Sequence, residues 1–150
     1  MALQRHYVDT NVLIAMFECS DERAGRLLHM FTSGYRADDD PFLTSEITLA
    51  ELQVLPLRQK DERLTSVYQR WVKSDSLVVS KAVDRDILVA AAGLRADDGS
   101  LRLPDAIHLA TAMRFGCRRF LTFEARLDRS VNIVKPEAEM LEQLIVEFSA

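Results

Sequence analysis

Tyr7-Val8-Asp9-Thr10-Asn11-Val12-Leu13-Ile14 decides how the rest of the chain is to be read. His6, Tyr7 and Val8 have the aromatic and β-branched character of a short strand, and they run directly into Asp9, Thr10 and Asn11. An apolar run, Val12–Phe17, follows at once. A carboxylate at the carboxyl end of a buried strand must be paired, hydrogen-bonded or metal-bound. In open α/β sheets, ligands bind just outside those strand ends. Asp9 therefore has two readings. It caps the helix that follows, a role Asp fills well, or it faces a ligand.

Outward from this stretch, strands alternate with helices. Val12–Phe17 begins a helix and Asp21–Ser33 forms a second, with Ala24, Leu27, Leu28 and Phe31 at helical spacing. The three aspartates 38–40 stand beside Pro41 without periodicity, so they read as a solvated loop. Phe42–Thr44 is a strand, and Ser45–Leu55 a helix that Pro56 ends or kinks. Leu57–Ser74 is a longer helix carrying Leu64, Val67, Tyr68 and Trp71 on one face. Leu77–Ser80 is a third strand. Val83–Arg95 is an Ala-rich helix whose Asp84 and Asp86 complement its dipole.

Asp98-Gly99 marks a turn, and Pro104–Phe115 is a helix with Pro in its first turn and Gly116 past its end. Arg119–Thr122 and Asn132–Val134 supply two more strands, and Pro136–Phe148 closes the chain with Leu141, Leu144, Ile145 and Phe148 on one stripe. The alternation predicts an α/β fold: three layers, α/β/α, around a parallel sheet of four or five strands.

Bulk properties narrow the class. A chain of 150 residues is most simply one domain, long enough to bury about 68–70% of its unfolded surface. The longest apolar runs, Val12–Phe17 and Ile87–Ala92, are far too short to span a membrane. Asp9 and Asn11 break the N-terminal apolar stretch, which excludes a signal peptide. Cys19 and Cys117 have no metal or redox spacing and read as reduced thiols of a cytoplasmic protein. A net charge of −4 excludes a grip on nucleic acid through overall charge, though not local binding by an enzyme.

In a parallel sheet all carboxyl ends share one edge, and four acids map there. Asp9 ends the first strand. Glu51 lies about two turns into the helix after the second. Asp105 follows Pro104 at a helix start, and Glu124 comes two residues after Thr122. Each has a structural explanation of its own. Thr48-Leu-Ala-Glu51 matches a helix capping box, Asp105 complements a helix N-terminus, and Glu124 suits an exposed loop. Their convergence is what points to chemistry, because clustered carboxylates repel and call for a cation. An all-oxygen set suits Mg²⁺ or Mn²⁺, and the matching reaction is metal-assisted phosphodiester hydrolysis.

Four segments occur in order: Tyr7-Val-Asp9-Thr-Asn11-Val-Leu-Ile, Thr44-Ser-Glu-Ile-Thr48-Leu-Ala-Glu51-Leu, Leu103-Pro-Asp105-Ala-Ile-His108-Leu-Ala-Thr-Ala and Phe120-Leu-Thr122-Phe-Glu124. Together they resemble the PIN-domain nucleases, in particular the VapC toxins of toxin–antitoxin pairs. The resemblance covers nearly the whole chain, and the Asp105 segment is its most specific part. It implies a Mg²⁺- or Mn²⁺-dependent endoribonuclease, a homodimer, and a cognate antitoxin whose C-terminal segment lies over the active site. By position it assigns Asp9, Glu51 and Asp105 to the first three acidic places. Thr10, Asn11, Thr48 and Thr122 fill polar places that orient ligands or the attacking water. Glu124 takes the fourth acidic place, where the family often has Asp, and Asp128 is the alternative. Metal ligation falls to Asp9, Asp105 and Glu124.

His108 lies three residues after Asp105 and shares its helix face. It reads first as a half-buried packing histidine and second as a hydrogen-bond partner for a metal ligand or phosphate. Arg118, Arg119, Arg126 and Arg129 form a basic run that could follow an RNA backbone or simply be solvated. Two competing functions remain. A phosphohydrolase with Asp9 as nucleophile would need a second carboxylate where Asn11 stands. A non-catalytic module would use the acids only to hold a cation.

Overall fold

The computed structural model describes residues 4–33, 41–124, 132–136 and 138–149. In chain order the elements are β1 (His6–Val8), α1 (Thr10–Glu18), α2 (Glu22–Ser33), β2 (Phe42–Ser45), α3 (Glu46–Arg58) and α4 (Glu62–Trp71). They continue with β3 (Val72–Lys73), β4 (Val78–Lys81), α5 (Arg85–Asp97), α6 (Leu103–Arg114), β5 (Arg119–Leu121), β6 (Asn132–Val134) and α7 (Ala138–Ser149). The six strands form one sheet in the order β3-β4-β2-β1-β5-β6, and every pairing is parallel.

β1 is the pivot of this order. The chain leaves it for β2 on one side and reaches β5 on the other. That reversal is the topological switch point at which open α/β sheets leave a crevice, and Asp9 is the first residue beyond it.

Period-two alternation divides the strand side chains between the two faces. Val8, Phe42 and Leu121 enter a core with Leu13, Leu27, Phe31, Tyr68 and Leu141 of the helices on one side. Tyr7, Leu43 and Phe120 face the other way, against Leu109 and Ala112 of α6. Ile87 and Ala91 of α5 then pack on Ala106, Ile107 and Ala110 of α6. The sheet is thus covered on both faces, and its central strands are almost wholly buried, as doubly covered parallel strands are.

Turn chemistry fixes the ends. Gly116 adopts φ 65, and the amides of Gly116 and Cys117 bond to the carbonyls of Met113 and Ala112 at 3.2 and 2.9 Å. This pair is a Schellman motif closing α6. Asp61 caps α4 and Asp84 caps α5 through their side chains.

The structure corrects the expected architecture at three places. It has six strands rather than four or five: Val72–Lys73, read as part of a long helix, pairs with β4. Burial of Val72 and the cap of α4 at that residue separate the two. The helix expected over Leu57–Ser74 is confined to Glu62–Trp71. Pro56 does not stop its helix, which continues to Arg58. Pro56 sits in the last turn and its carbonyl accepts the Asp61 amide at 2.9 Å. The triple aspartate 38–40, Arg126, Asp128 and Arg129 lie outside the described residues.

Candidate active site

Asp9 is buried at the carboxyl end of β1, and both its oxygens are engaged. Oδ1 accepts the Thr10 amide at 2.8 Å. Oδ2 accepts the Thr122 hydroxyl at 2.8 Å and, more weakly, the Asn11 amide at 3.4 Å. The capping role and the site role therefore coexist, since Asp9 is also the N-cap of α1. Burial pushes its carboxyl above the ordinary Asp range, against His108 and the hydrogen bonds of Thr122 and Thr10, with Glu51 adding to the rise. A cation beside it would relieve that penalty.

Thr122 and Asn11 extend the same network. Asn11 donates to the Thr122 hydroxyl oxygen at 3.0 Å and accepts the Phe123 amide at 3.1 Å. The Glu124 amide also donates to the Thr122 hydroxyl oxygen, at 3.0 Å. The segment after β5 is thereby folded back onto the residues after β1. The Arg23 guanidinium of α2 lies 4.8 Å above the Phe123 ring, which holds α2 against this rim.

Glu51 does not reach back to its own helix start. The cap of α3 is Ser45, whose hydroxyl accepts the Ile47 amide, so the capping-box reading of Thr48 and Glu51 falls. Instead Glu51 Oε1 accepts two bonds, from the Thr10 hydroxyl at 2.8 Å and from His108 Nε2 at 2.6 Å. Burial works to raise the Glu51 carboxyl, but the bond and charge of His108 and the Thr10 bond outweigh it, and the net direction is down. Glu51 is thus shifted toward the ionised form and Asp9 away from it.

Thr48 is fully buried behind Glu51. It shares a 2.7 Å hydroxyl–hydroxyl bond with Thr44, while Thr44 donates to the Val8 carbonyl at 2.8 Å. Thr10 and Thr48 approach at 3.4 Å. This row of hydroxyls ties α1, α3 and the end of β1 together.

His108 is the residue the sequence placed least well. It is 1% exposed rather than half-buried. Its Nδ1 lies 2.6 Å from the Tyr7 hydroxyl, its Nε2 faces Glu51, and Asp9 Oδ1 is 3.7 Å from that same nitrogen. Tyr7 was legible only as a strand residue. No local pattern links it to a histidine 101 positions away.

Asp105 occupies the first turn of α6, after Pro104, half-buried and one turn ahead of His108. Glu124 is exposed just past β5. Among the described residues no three His, Cys, Asp or Glu side chains already stand together as a coordination shell. Even so, the donors at this edge are carboxylate oxygens with no thiol among them, and Mg²⁺ habitually takes one or two carboxylates and completes its shell with water and phosphate. The residues present fit that habit. Of the basic run, Arg119 donates to His6 Nε2 at 3.2 Å, and Arg118 is exposed.

A PIN domain model matches residues 6–131. The chain belongs to the PIN domain family. No curated protein sequence matches it. Among solved structures, a toxin–antitoxin complex from Klebsiella pneumoniae is 25% identical and superposes with a TM-score of 0.64, over 88% of this chain and 98% of the other. VapC20 of Mycobacterium tuberculosis, a toxin that cleaves the sarcin–ricin loop, is 19% identical with a TM-score of 0.64, over 81% and 92%. DNA-bound VapBC from Salmonella typhimurium is 18% identical with a TM-score of 0.62, over 88% and 98%. The latter two show a shared fold. In this PIN domain Asp9 follows β1, Glu51 lies in α3 and Thr122 follows β5. No helix of the described residues is long and apolar enough to cross a membrane.

Proposed function

We propose that this PIN domain is a metal-dependent endoribonuclease and the toxin of a toxin–antitoxin pair. The observation that carries the reading is the meeting of Asp9 and Glu51 at the switch point of the sheet, one acid raised by burial and the other held ionised, within a PIN match spanning residues 6–131. Two carboxyls pushed apart in this way are suited to different tasks.

Asp9, Asp105 and Glu124 would hold Mg²⁺ or Mn²⁺. When bound, the ion would polarise the phosphoryl group and lower the pKa of water. Glu51 is the proton acceptor of the proposal. Its Oε1 is saturated by Thr10 and His108, which leaves Oε2 to take a proton from water. The water oxygen forms the new P–O bond, the bridging P–O bond breaks, and the departing oxygen takes a proton from solvent, to which Glu51 then releases the one it accepted. Thr10, itself against Thr48, fixes Glu51, while Asn11 and Thr122 fix Asp9. The N-terminus of α1, just past Asp9, favours an approaching phosphate.

The toxin role draws on the Klebsiella complex and on the VapBC and VapC20 structures. It implies RNA as substrate, a cognate antitoxin as partner, a homodimer and a cytoplasmic site of action. Leu55 and Leu57, exposed near the end of α3, give apolar surface to such a dimer. Purified protein is expected to cleave total cellular RNA with Mn²⁺ and to stop on chelation. Asp9→Asn and Asp105→Asn are expected to abolish cleavage while the fold survives. Equal cleavage by wild type and Asp9→Asn sinks the nuclease reading. Unimpaired growth on expression, with no antitoxin-like reading frame alongside, removes the word toxin.

A further inference from the structure

We infer that Tyr7, His108 and Glu51 form a buried relay in which His108 is a positioning residue that aims the Glu51 carboxylate. The inference deepens the nuclease reading and rests on it for the task given to Glu51, but the relay itself stands on geometry.

Both ring nitrogens of His108 are committed at short range. Nδ1 is 2.6 Å from the Tyr7 hydroxyl, and Nε2 is 2.6 Å from Glu51 Oε1. A carboxylate accepts only, so Nε2 carries a proton and donates. Tyr7 is fully buried and keeps its phenol proton, which it donates to Nδ1. The direction of all the bonds follows: Tyr7 O–H to Nδ1, Nε2–H to Glu51. A hydroxyl at Nδ1 is the kind of partner that fixes which nitrogen bears the proton.

Both rings of this chain are buried and packed. Tyr7 stacks on Phe120 at 4.9 Å between centroids, with the rings 16° apart, and meets the His108 ring edge-on at 5.7 Å. His108 sits in α6 between Ile107 and Leu109, both buried. Glu51 by contrast has a side chain 35% exposed, and a long, partly exposed carboxylate samples several rotamers unless held. His108 and Thr10 hold it from two sides through one oxygen. Oε2 accepts no bond from the described residues, which leaves it available as the proton acceptor. The packing role read from the sequence cannot account for this arrangement, since a packing residue needs no partner at each nitrogen.

The test compares wild type with Tyr7→Phe, His108→Gln and His108→Leu. The substrate is a defined RNA chosen by mapping cut sites in total RNA. Gln places an amide donor near the position of Nε2, whereas Leu fills space without one. Loss of a group that orients a reacting one typically costs ~10–100-fold. His108→Leu is expected to lower kcat by about that factor with KM nearly unchanged, and His108→Gln to recover most of it. Equal kcat for wild type and a folded His108→Leu overturns the relay, as does equal loss in the Leu and Gln variants. Nitrogen-15 spectra of the imidazole are an arm independent of cleavage. A protonated Nε2 and a bare Nδ1 are expected, with the Nδ1 signal moving in Tyr7→Phe; a bare Nε2 overturns the relay. If wild type cuts no RNA, the nuclease reading fails while the spectra still decide the relay.

Discussion

Thr122 donates its hydroxyl to Asp9 Oδ2 at 2.8 Å, from just past the strand next to the one that Asp9 follows. The Thr122 hydroxyl oxygen in turn accepts from Asn11 and from the Glu124 amide, so one hydroxyl organises the whole rim. Thr122→Val keeps the shape and deletes these bonds. Leaving buried partners unsatisfied costs about 1–3 kcal/mol, and that loss is expected in urea unfolding. Cleavage should fall roughly tenfold or more, as for other supporting groups around reactive ones. A variant as stable and as active as wild type would show that the hydroxyl is incidental.

Asp9 also predicts how stability depends on pH in metal-free buffer. Its folded pKa lies above the ordinary value, burial being the largest cause. Between the unfolded value of about 3.9 and the folded one, the native state therefore binds more protons than the unfolded state. Stability then falls as pH rises through that window. Asp9→Asn removes the penalty, so its stability relative to wild type should improve from pH 4 to pH 7 in the presence of EDTA. A gap that stays constant across that range contradicts a raised Asp9.

Tyr68 provides a control away from the chemistry. Its hydroxyl donates to Glu18 at 2.5 Å, and its ring meets Phe17 edge-on at 5.6 Å. Tyr68→Phe should cost about 1 kcal/mol, the net worth of one hydrogen bond, and leave cleavage unchanged. A large fall in cleavage would extend the site to this face of α1.

Gly116 tests the backbone. A Cβ there would meet nothing within 4 Å, so any cost of Gly116→Ala comes from φ 65 alone. The expected loss is about 1 kcal/mol, read as a lower urea midpoint with the slope unchanged.

Most of the layering was legible because parallel, doubly covered strands leave continuous apolar runs, as Tyr7–Val8 and Phe42–Leu43 do. Val72–Lys73 was not, because two residues directly after a helix carry no period of their own. Pro56 misled for a related reason. In a last turn it forfeits one backbone bond, which does not terminate a helix. At the site, Asp9, Thr10, Asn11, Glu51 and Thr122 were readable from strand-end placement and the family pattern. The Tyr7–His108–Glu51 connection was not, since each bond joins residues far apart in sequence and depends on which way a buried ring turns.

The Schellman turn at Gly116 has one more consequence. It sets where β5 begins: Arg118 donates to the Arg5 carbonyl at 3.0 Å, and pairing then runs His6 to Arg119 and Val8 to Leu121. Thr122 arrives beside Asp9 because of that count. An inserted residue between Gly116 and Arg119 would slip the strand by one and turn every following side chain to the opposite face. Phe120 would then point toward the core that Leu121 now fills, and Thr122 would turn away from Asp9. The length of this short connection is thereby a parameter of the active site. Point substitutions there should be far better tolerated than a single insertion or deletion.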